Sequence, residues 1–267
     1  MREIFIEESK QIQLEILKNF IMFCDQNHLS YFIAYGTLIG AIRHQGFIPW
    51  DDDIDVQMPR TDYEKLIKIF NQQQISDRFF LVSPYDKRAV HSYVKIIDQR
   101  TIKIEKGVRY QSDYLGVDID VFPLDSLPDT QIEYDQYYRK VQKIYKKFAY
   151  SEAHFLEKDW KSSILRLYQR LLGDHHRFVK KADAERKKHS YETSGYVGTL
   201  ISFYDYYNDR HKKDEYERSV MVPFEGIQVK APIGYDNILR KLYGDYQQLP
   251  PIEERKTHHS YSVFWKD

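Results

Sequence analysis

The chain has 267 residues, 42% of them hydrophobic and 30% charged, with a mean hydropathy of −0.65. That is long enough to bury a full core and too polar to span a membrane, so disorder and a transmembrane architecture are excluded as its main state. Lys plus Arg (40) balance Asp plus Glu (40), so no global field draws the chain to nucleic acid or anionic lipid, and any such attraction has to be local.

From Glu8 to His28, Ile12, Ile16, Leu17, Phe20 and Cys24 recur at helical spacing, which predicts an amphipathic helix with Cys24 as a core thiol. A lone cysteine cannot form an internal disulfide, and the opening residues carry no apolar signal region; both point to a reducing, cytoplasmic setting. Tyr31 to Tyr35 reads as a short strand ended by Gly36, with Thr37 capping a helix to Arg43. Ile54 to Val56 predicts a strand stopped by Pro59, and Thr61 to Glu64 a capping box that opens a helix to Phe70. Strand-like runs follow at Phe79 to Val82, Tyr93 to Ile97 and Val117 to Leu124. Beyond Pro128 the pattern turns to Lys-rich and Tyr-rich helices as far as Tyr191. The tail then shows short strand and turn signals, a helix from Asp236 to Tyr243 and a polar end. With no repeat or long linker, residues 1–267 read as a single domain with an α+β core and a helical insertion at 128–192.

The strongest chemical signal is Pro49-Trp50-Asp51-Asp52-Asp53-Ile54-Asp55-Val56. Carboxylates this dense, running into an apolar strand, repel one another unless a cation sits among them. Strand alternation puts Asp53 and Asp55, with Asp51 if the strand starts early, on one face and Asp52 on the other. All-oxygen ligation favours a hard cation such as Mg2+, which commonly takes one or two carboxylates plus substrate phosphates. In Val117 to Phe122, apolar residues alternate with Asp118 and Asp120; this is either a solvated edge strand or, beside the first acidic strand, the source of a third ligand. Tyr35-Gly36-Thr37 ends a strand and opens a helix, where backbone N–H groups can hold phosphate.

The run Gly36-Thr37-Leu38-Ile39-Gly40-Ala41-Ile42-Arg43-His44, followed by Ile48-Pro49-Trp50-Asp51-Asp52-Asp53-Ile54-Asp55, resembles the signature of the LicD family, bacterial phosphocholine transferases related to fukutin and fukutin-related protein. The similarity continues through Lys95 to Asp98, Arg100-Thr101, Asp118 to Leu124, Leu242 to Tyr246, Leu249 to Pro251 and His258-His259, and is poorest over 128–192. The resemblance implies a nucleotidyltransferase-like mixed sheet with flanking helices, metal ligands Asp53, Asp55 and Asp120, and Asp118 as a second-choice ligand or base. It also implies transfer of phosphocholine from CDP-choline to a sugar hydroxyl of a teichoic acid or lipopolysaccharide precursor, with CMP released.

One or two Mg2+ ions, or Mn2+, suit such phosphoryl transfer, and Asp120 or Asp118 then takes the proton of the acceptor hydroxyl. Arg43, Lys95, Arg100, His258 and His259 are candidates to bind phosphate. Trp50 and the surplus of rings (23 Tyr, 15 Phe) are candidates to face choline. Trp160, Ile164, Leu165, Leu167, Tyr168, Leu171 and Leu172, bordered by Lys161, Arg166 and Arg170, predict either a core helix or a helix lying at an anionic membrane, where a lipid-linked acceptor would be met. The competing readings are a same-fold enzyme using another CDP-alcohol or transferring a nucleotide, and a catalytically silent glycan- or nucleotide-binding module.

Overall fold

A computed structural model describes residues 1–73, 76–86, 89, 91–105, 115–152, 164, 167–168, 171–201, 207–257 and 261–267. After a short strand β1 (Glu3–Ile4), the predicted first helix is α1 (Ile6–Gln26). Its apolar stripe of Ile12, Ile16, Leu17, Phe20 and Cys24 is fully inside the core, each large side chain contributing about 1.5–3 kcal/mol by burial. Asn27 closes it through its N–H to the Phe23 carbonyl, and His28 turns the chain out at φ 53°. Cys24 is the buried core thiol that the pattern predicts.

The central sheet is built from β2 (Phe32–Ile33), β3 (Asp55–Pro59), β4 (Phe79–Val82), β5 (Val94–Asp98) and β7 (Asp118–Leu127), in the order β2-β3-β7-β5-β4. Only the β3–β7 pairing among them is parallel; β2–β3, β5–β7 and β4–β5 run antiparallel. The far end of β7 continues into β8 (Tyr196–Gly198) and β9 (His211–Lys212). This mixed sheet with packed helices is an α+β fold. Helix α2 (Tyr35–His44) leads into the acidic run, and α3 (Arg60–Gln73) follows β3 directly. Both begin earlier than their capping signals suggest, with Thr37 and Thr61 inside the helices.

β7 is not the solvated edge strand that its alternation allows. It lies between β3 and β5, and Asp118 is buried along with the apolar face. A second sheet, β1-β12-β6, pairs the chain ends: β12 (Tyr261–Trp265) sits between β1 and β6 (Thr101–Glu105). The hairpin of β10 (Ser219–Phe224) and β11 (Ile227–Pro232) packs on α2 and β2, and α6 (Tyr235–Tyr243) follows it.

In the helical stretch, α4 (Gln131–Glu152) and α5 (His176–Arg186) form their own apolar cluster with Leu127 and Leu200. It is tied to the sheet by charge. Arg60 at the start of α3 bonds Asp125 of β7 at 2.5 Å and Asp183 of α5 at 2.9 Å. Of the apolar run from 160 to 172, Ile164, Leu167, Tyr168 and Leu171 are exposed and Leu172 packs on the α4–α5 cluster; Trp160, Lys161, Leu165, Arg166 and Arg170 lie outside the described residues. Among the described residues, no helix is long and apolar enough to cross a membrane.

Candidate functional site

The parallel register of β3 and β7 sets Asp55 directly opposite Asp120, and the antiparallel register of β5 sets Lys95 on the other side of Asp120. Carboxylates 65 positions apart in sequence thereby meet at one end of the sheet. Asp51, Asp52 and Asp53 precede the strand. Each offers a carboxylate oxygen within 4.8 Å of the others. The expected alternation, with Asp52 turned away, does not operate there, because β3 starts only at Asp55 and the three preceding residues follow a turn.

Burial pushes the Asp55 carboxyl well above its usual range, and Asp53, Asp120 and Asp51 push it further, with Lys95 offsetting only part. Burial raises Asp120 as well, against Lys95. Asp118 differs. Burial alone would raise it, but Lys103 Nζ reaches Oδ1 at 2.8 Å and Lys95 Nζ reaches Oδ2 at 2.8 Å, and together they hold it well below the carboxylate range. Lys95 also bonds Asp120 Oδ1 at 2.5 Å. Lys95 is thus the cation of the cluster, and Asp118 is a carboxylate with both oxygens engaged.

The turn before α2 packs against the same cluster. A Cβ on Gly36 would stand 2.4 Å from Asp51 Oδ2, so glycine lets the backbone approach this carboxylate where any larger residue would displace the Asp51 side chain or the turn. Thr37 Oγ1 accepts the Asp55 N–H at 2.8 Å, fixing where β3 begins.

Other residues singled out by sequence go elsewhere. Arg43 donates to the Tyr246 carbonyl at 2.6 Å and joins α2 to the C-terminal segment. Arg100 pairs with Asp98 at 2.9 Å and lies over the Trp265 ring. The Trp50 ring carries the Arg255 guanidinium 5.4 Å from its centre. His258 and His259 lie outside the described residues.

Three rings that sequence reasoning did not select are close to the carboxylates. Asp120 and Asp55 act electrostatically on Tyr93, whose hydroxyl burial pushes well up. Tyr93 packs on Phe122 at 4.7 Å, and Tyr35 packs on Phe122 at 5.7 Å. Phe122 stands two residues beyond Asp120, on the same face of β7. The period-2 pattern of β7 held that signal, since the residue after the two acids on that face is aromatic.

The acids offer oxygen donors that suit a hard divalent cation: Asp51, Asp52 and Asp53 each place a carboxylate oxygen within 4.8 Å of the others, and Asp55 faces Asp120 across the β3–β7 pair. A second group able to hold a metal, Asp174, His175 and His176, lies at the start of α5 in the helical stretch.

Residues 28–158 match the family model described as "LicD/FKTN/FKRP, nucleotidyltransferase domain". Across 97% of its length the chain is 30% identical to the lipopolysaccharide cholinephosphotransferase LicD of Haemophilus influenzae, and the match covers 97% of that protein. The chain belongs to the LicD family. Shorter matches reach mannosyltransferase regulator 4 of Saccharomyces cerevisiae (27% identity, 39% of this chain, 8% of the regulator) and mannosyltransferase regulator 14 of the same yeast (32%, 39% and 12%). The LicD-family segment contains Gly36, Thr37, the whole acidic run, Lys95, Asp118 and Asp120, and therefore the entire carboxylate cluster.

Proposed function

We propose that this LicD-family chain transfers phosphocholine from CDP-choline to a sugar hydroxyl of a lipid-linked or oligosaccharide glycan of the lipopolysaccharide or teichoic acid type, releasing CMP. The observation that carries the reading is a carboxylate cluster inside a chain that matches a cholinephosphotransferase along nearly its whole length. Asp53, Asp55 and Asp120 are assigned as the holders of Mg2+ or Mn2+. A divalent cation held there neutralises charge on the diphosphate and lowers the pKa of a nearby hydroxyl.

The chain's own residues do the rest. The N-terminal turn of α2, with Gly36 and Thr37, presents backbone N–H groups to a phosphate. Lys95, bridging Asp118 and Asp120, keeps a buried positive charge beside the reacting phosphorus. Between the two candidate bases, Asp120 is assigned the proton of the acceptor hydroxyl, because it faces Asp55 with one oxygen on Lys95, whereas Asp118 has one oxygen on Lys103 and the other on Lys95. The choline ammonium, which has no donor to offer, is assigned to an aromatic face beside the cluster, with Tyr93 and Trp50 as the candidates; each ring already faces one protein cation at 5.4 Å, Lys95 and Arg255 respectively, so choline would take the other face. The chain is read as one catalytic domain acting on the cytoplasmic side, with the exposed Ile164, Leu167, Tyr168 and Leu171 resting on the membrane that carries the acceptor.

The test uses CDP-choline labelled in a choline methyl group, with Mg2+ and crude glycan precursor. Label in the glycan with unlabelled CMP in solution is the expected result. Free labelled phosphocholine with CMP joined to the acceptor would move the chain to nucleotide transfer, and turnover of a different CDP-alcohol alone would change the donor.

A further inference from the structure

The turn that seats the acidic cluster is held from behind by residues far along the chain. Tyr35 adopts φ 47°, a left-handed conformation disfavoured for any residue with a Cβ, so something outside the turn has to hold it. Its side chain is fixed at the far end. The Tyr35 hydroxyl donates to Asp209 Oδ2 at 2.6 Å and accepts from Gln57 Nε2 at 3.1 Å. Asp209 is 0% exposed, also accepts the Thr199 N–H at 3.3 Å, and faces His211 Nε2 at 3.0 Å. Gln57 is held in turn by Tyr216, whose hydroxyl donates to Oε1 at 3.0 Å, while its own Nε2 donates to Thr199 Oγ1 at 2.9 Å. Gln57 lies two residues beyond Asp55 on β3, so the network runs along the strand that bears the cluster.

We infer that Asp209 is a positioning residue for the carboxylate cluster, acting through the Tyr35 hydroxyl on the turn that seats Asp51 and Asp55. Gly36 abuts Asp51 and Thr37 binds the Asp55 backbone, so a shift of this turn moves both carboxylates at once. A buried carboxylate accepting a hydroxyl at 2.6 Å is a charge-assisted bond, stiffer than an amide in its place would be. Asp209 lies beyond residues 28–158, so the family match does not single it out. The inference rests on the reading of the carboxylates as the metal and phosphate site.

The experiment compares wild type, Tyr35→Phe, Asp209→Asn, their double variant, and Tyr216→Phe, which loosens Gln57 without touching the Tyr35–Asp209 bond. Mn2+ affinity is measured by titration on the metal-free protein, alongside melting temperature and the kcat and KM of CMP release. Tyr35→Phe and Asp209→Asn are each expected to weaken Mn2+ binding by about 10–100-fold and to lower kcat with KM for CDP-choline changed by less than about two-fold. The double variant should be no worse than the poorer single one, because both break the same bond. Tyr216→Phe should lower the melting temperature and leave Mn2+ affinity in place. If Tyr35→Phe and Asp209→Asn lower the melting temperature but bind Mn2+ like wild type, or if their losses add, the positioning role is overturned. A wild type that releases no CMP, with the Mn2+ losses still present, would overturn the substrate reading alone; a wild type that binds no Mn2+ would overturn both.

Discussion

Asp55 is where the physical chemistry of this chain is most exposed to test. Folding raises its carboxyl through burial and the neighbouring Asp53, Asp120 and Asp51. A group with a raised native pKa contributes stability that is complete below its unfolded value and is lost as pH rises through the native one. Without metal, the melting temperature should therefore fall as pH climbs from the ordinary carboxylate range through the raised value, and Asp55→Asn should flatten that fall and melt higher at neutral pH. The same variant should lose turnover by about 100-fold or more, since the proposed metal site loses one of its carboxylates; full CMP release by a well-folded Asp55→Asn would remove this residue from the site. Gly36→Ala tests the close approach. Its methyl group would stand 2.4 Å from Asp51 Oδ2, so Asp51 or the turn has to move. We expect a folded protein with a cost of about 1–3 kcal/mol in stability and weakened metal binding, read by calorimetry and Mn2+ titration.

At the scale of elements, α5 is docked by buried charge as much as by apolar contact. Burial pushes Asp183 up, but Arg186 and Arg60 hold it below the usual carboxylate range. The sign is opposite to that of Asp55: this contribution is complete above the unfolded value, near pH 4, and disappears as pH falls through the lowered native one. Acid melting curves should show that loss, and Asp183→Asn should shrink it while lowering the neutral plateau. Arg60→Met leaves Asp125 and Asp183 with one cation fewer in the interior and should cost about 3–5 kcal/mol, measured by urea denaturation. A cost under about 1 kcal/mol would show that Arg186, with Lys187 on Asp183, neutralises both acids without Arg60.

For the whole molecule, ligand linkage gives the broadest test. If metal bridges these carboxylates to a diphosphate, CDP-choline with Mg2+ at about 100 times its dissociation constant adds about 2.7 kcal/mol of apparent stability. The shift should vanish in EDTA; an equal shift with EDTA present would mean that the nucleotide binds elsewhere. The chain ends matter too. β12 lies between β1 and β6, and Tyr261 donates to the Asp52 carbonyl at 3.3 Å. Truncation before Tyr261 should therefore lower both the melting temperature and Mn2+ affinity, although every carboxylate of the cluster remains.

Much of this was legible without coordinates, for local reasons. Helical spacing marks α1 and its buried Cys24, period-2 alternation marks β7, and the glycine turn with the acidic run marks the carboxylate cluster, because each is written within about twenty residues. Tertiary structure decided what alternation cannot. The acids of β7 sit in the middle of the sheet, and Lys103 and Lys95 both hold Asp118 while Asp120 faces Asp55 and shares Lys95, a distinction made by the register of β3 and β5 against β7 and by Lys103 reaching across from β6. The polar C-terminal end becomes a central strand because β1 and β6 supply edges that only the folded chain brings together. Asp209 reaches Tyr35 across 174 positions of sequence, a pairing with no period or motif to announce it.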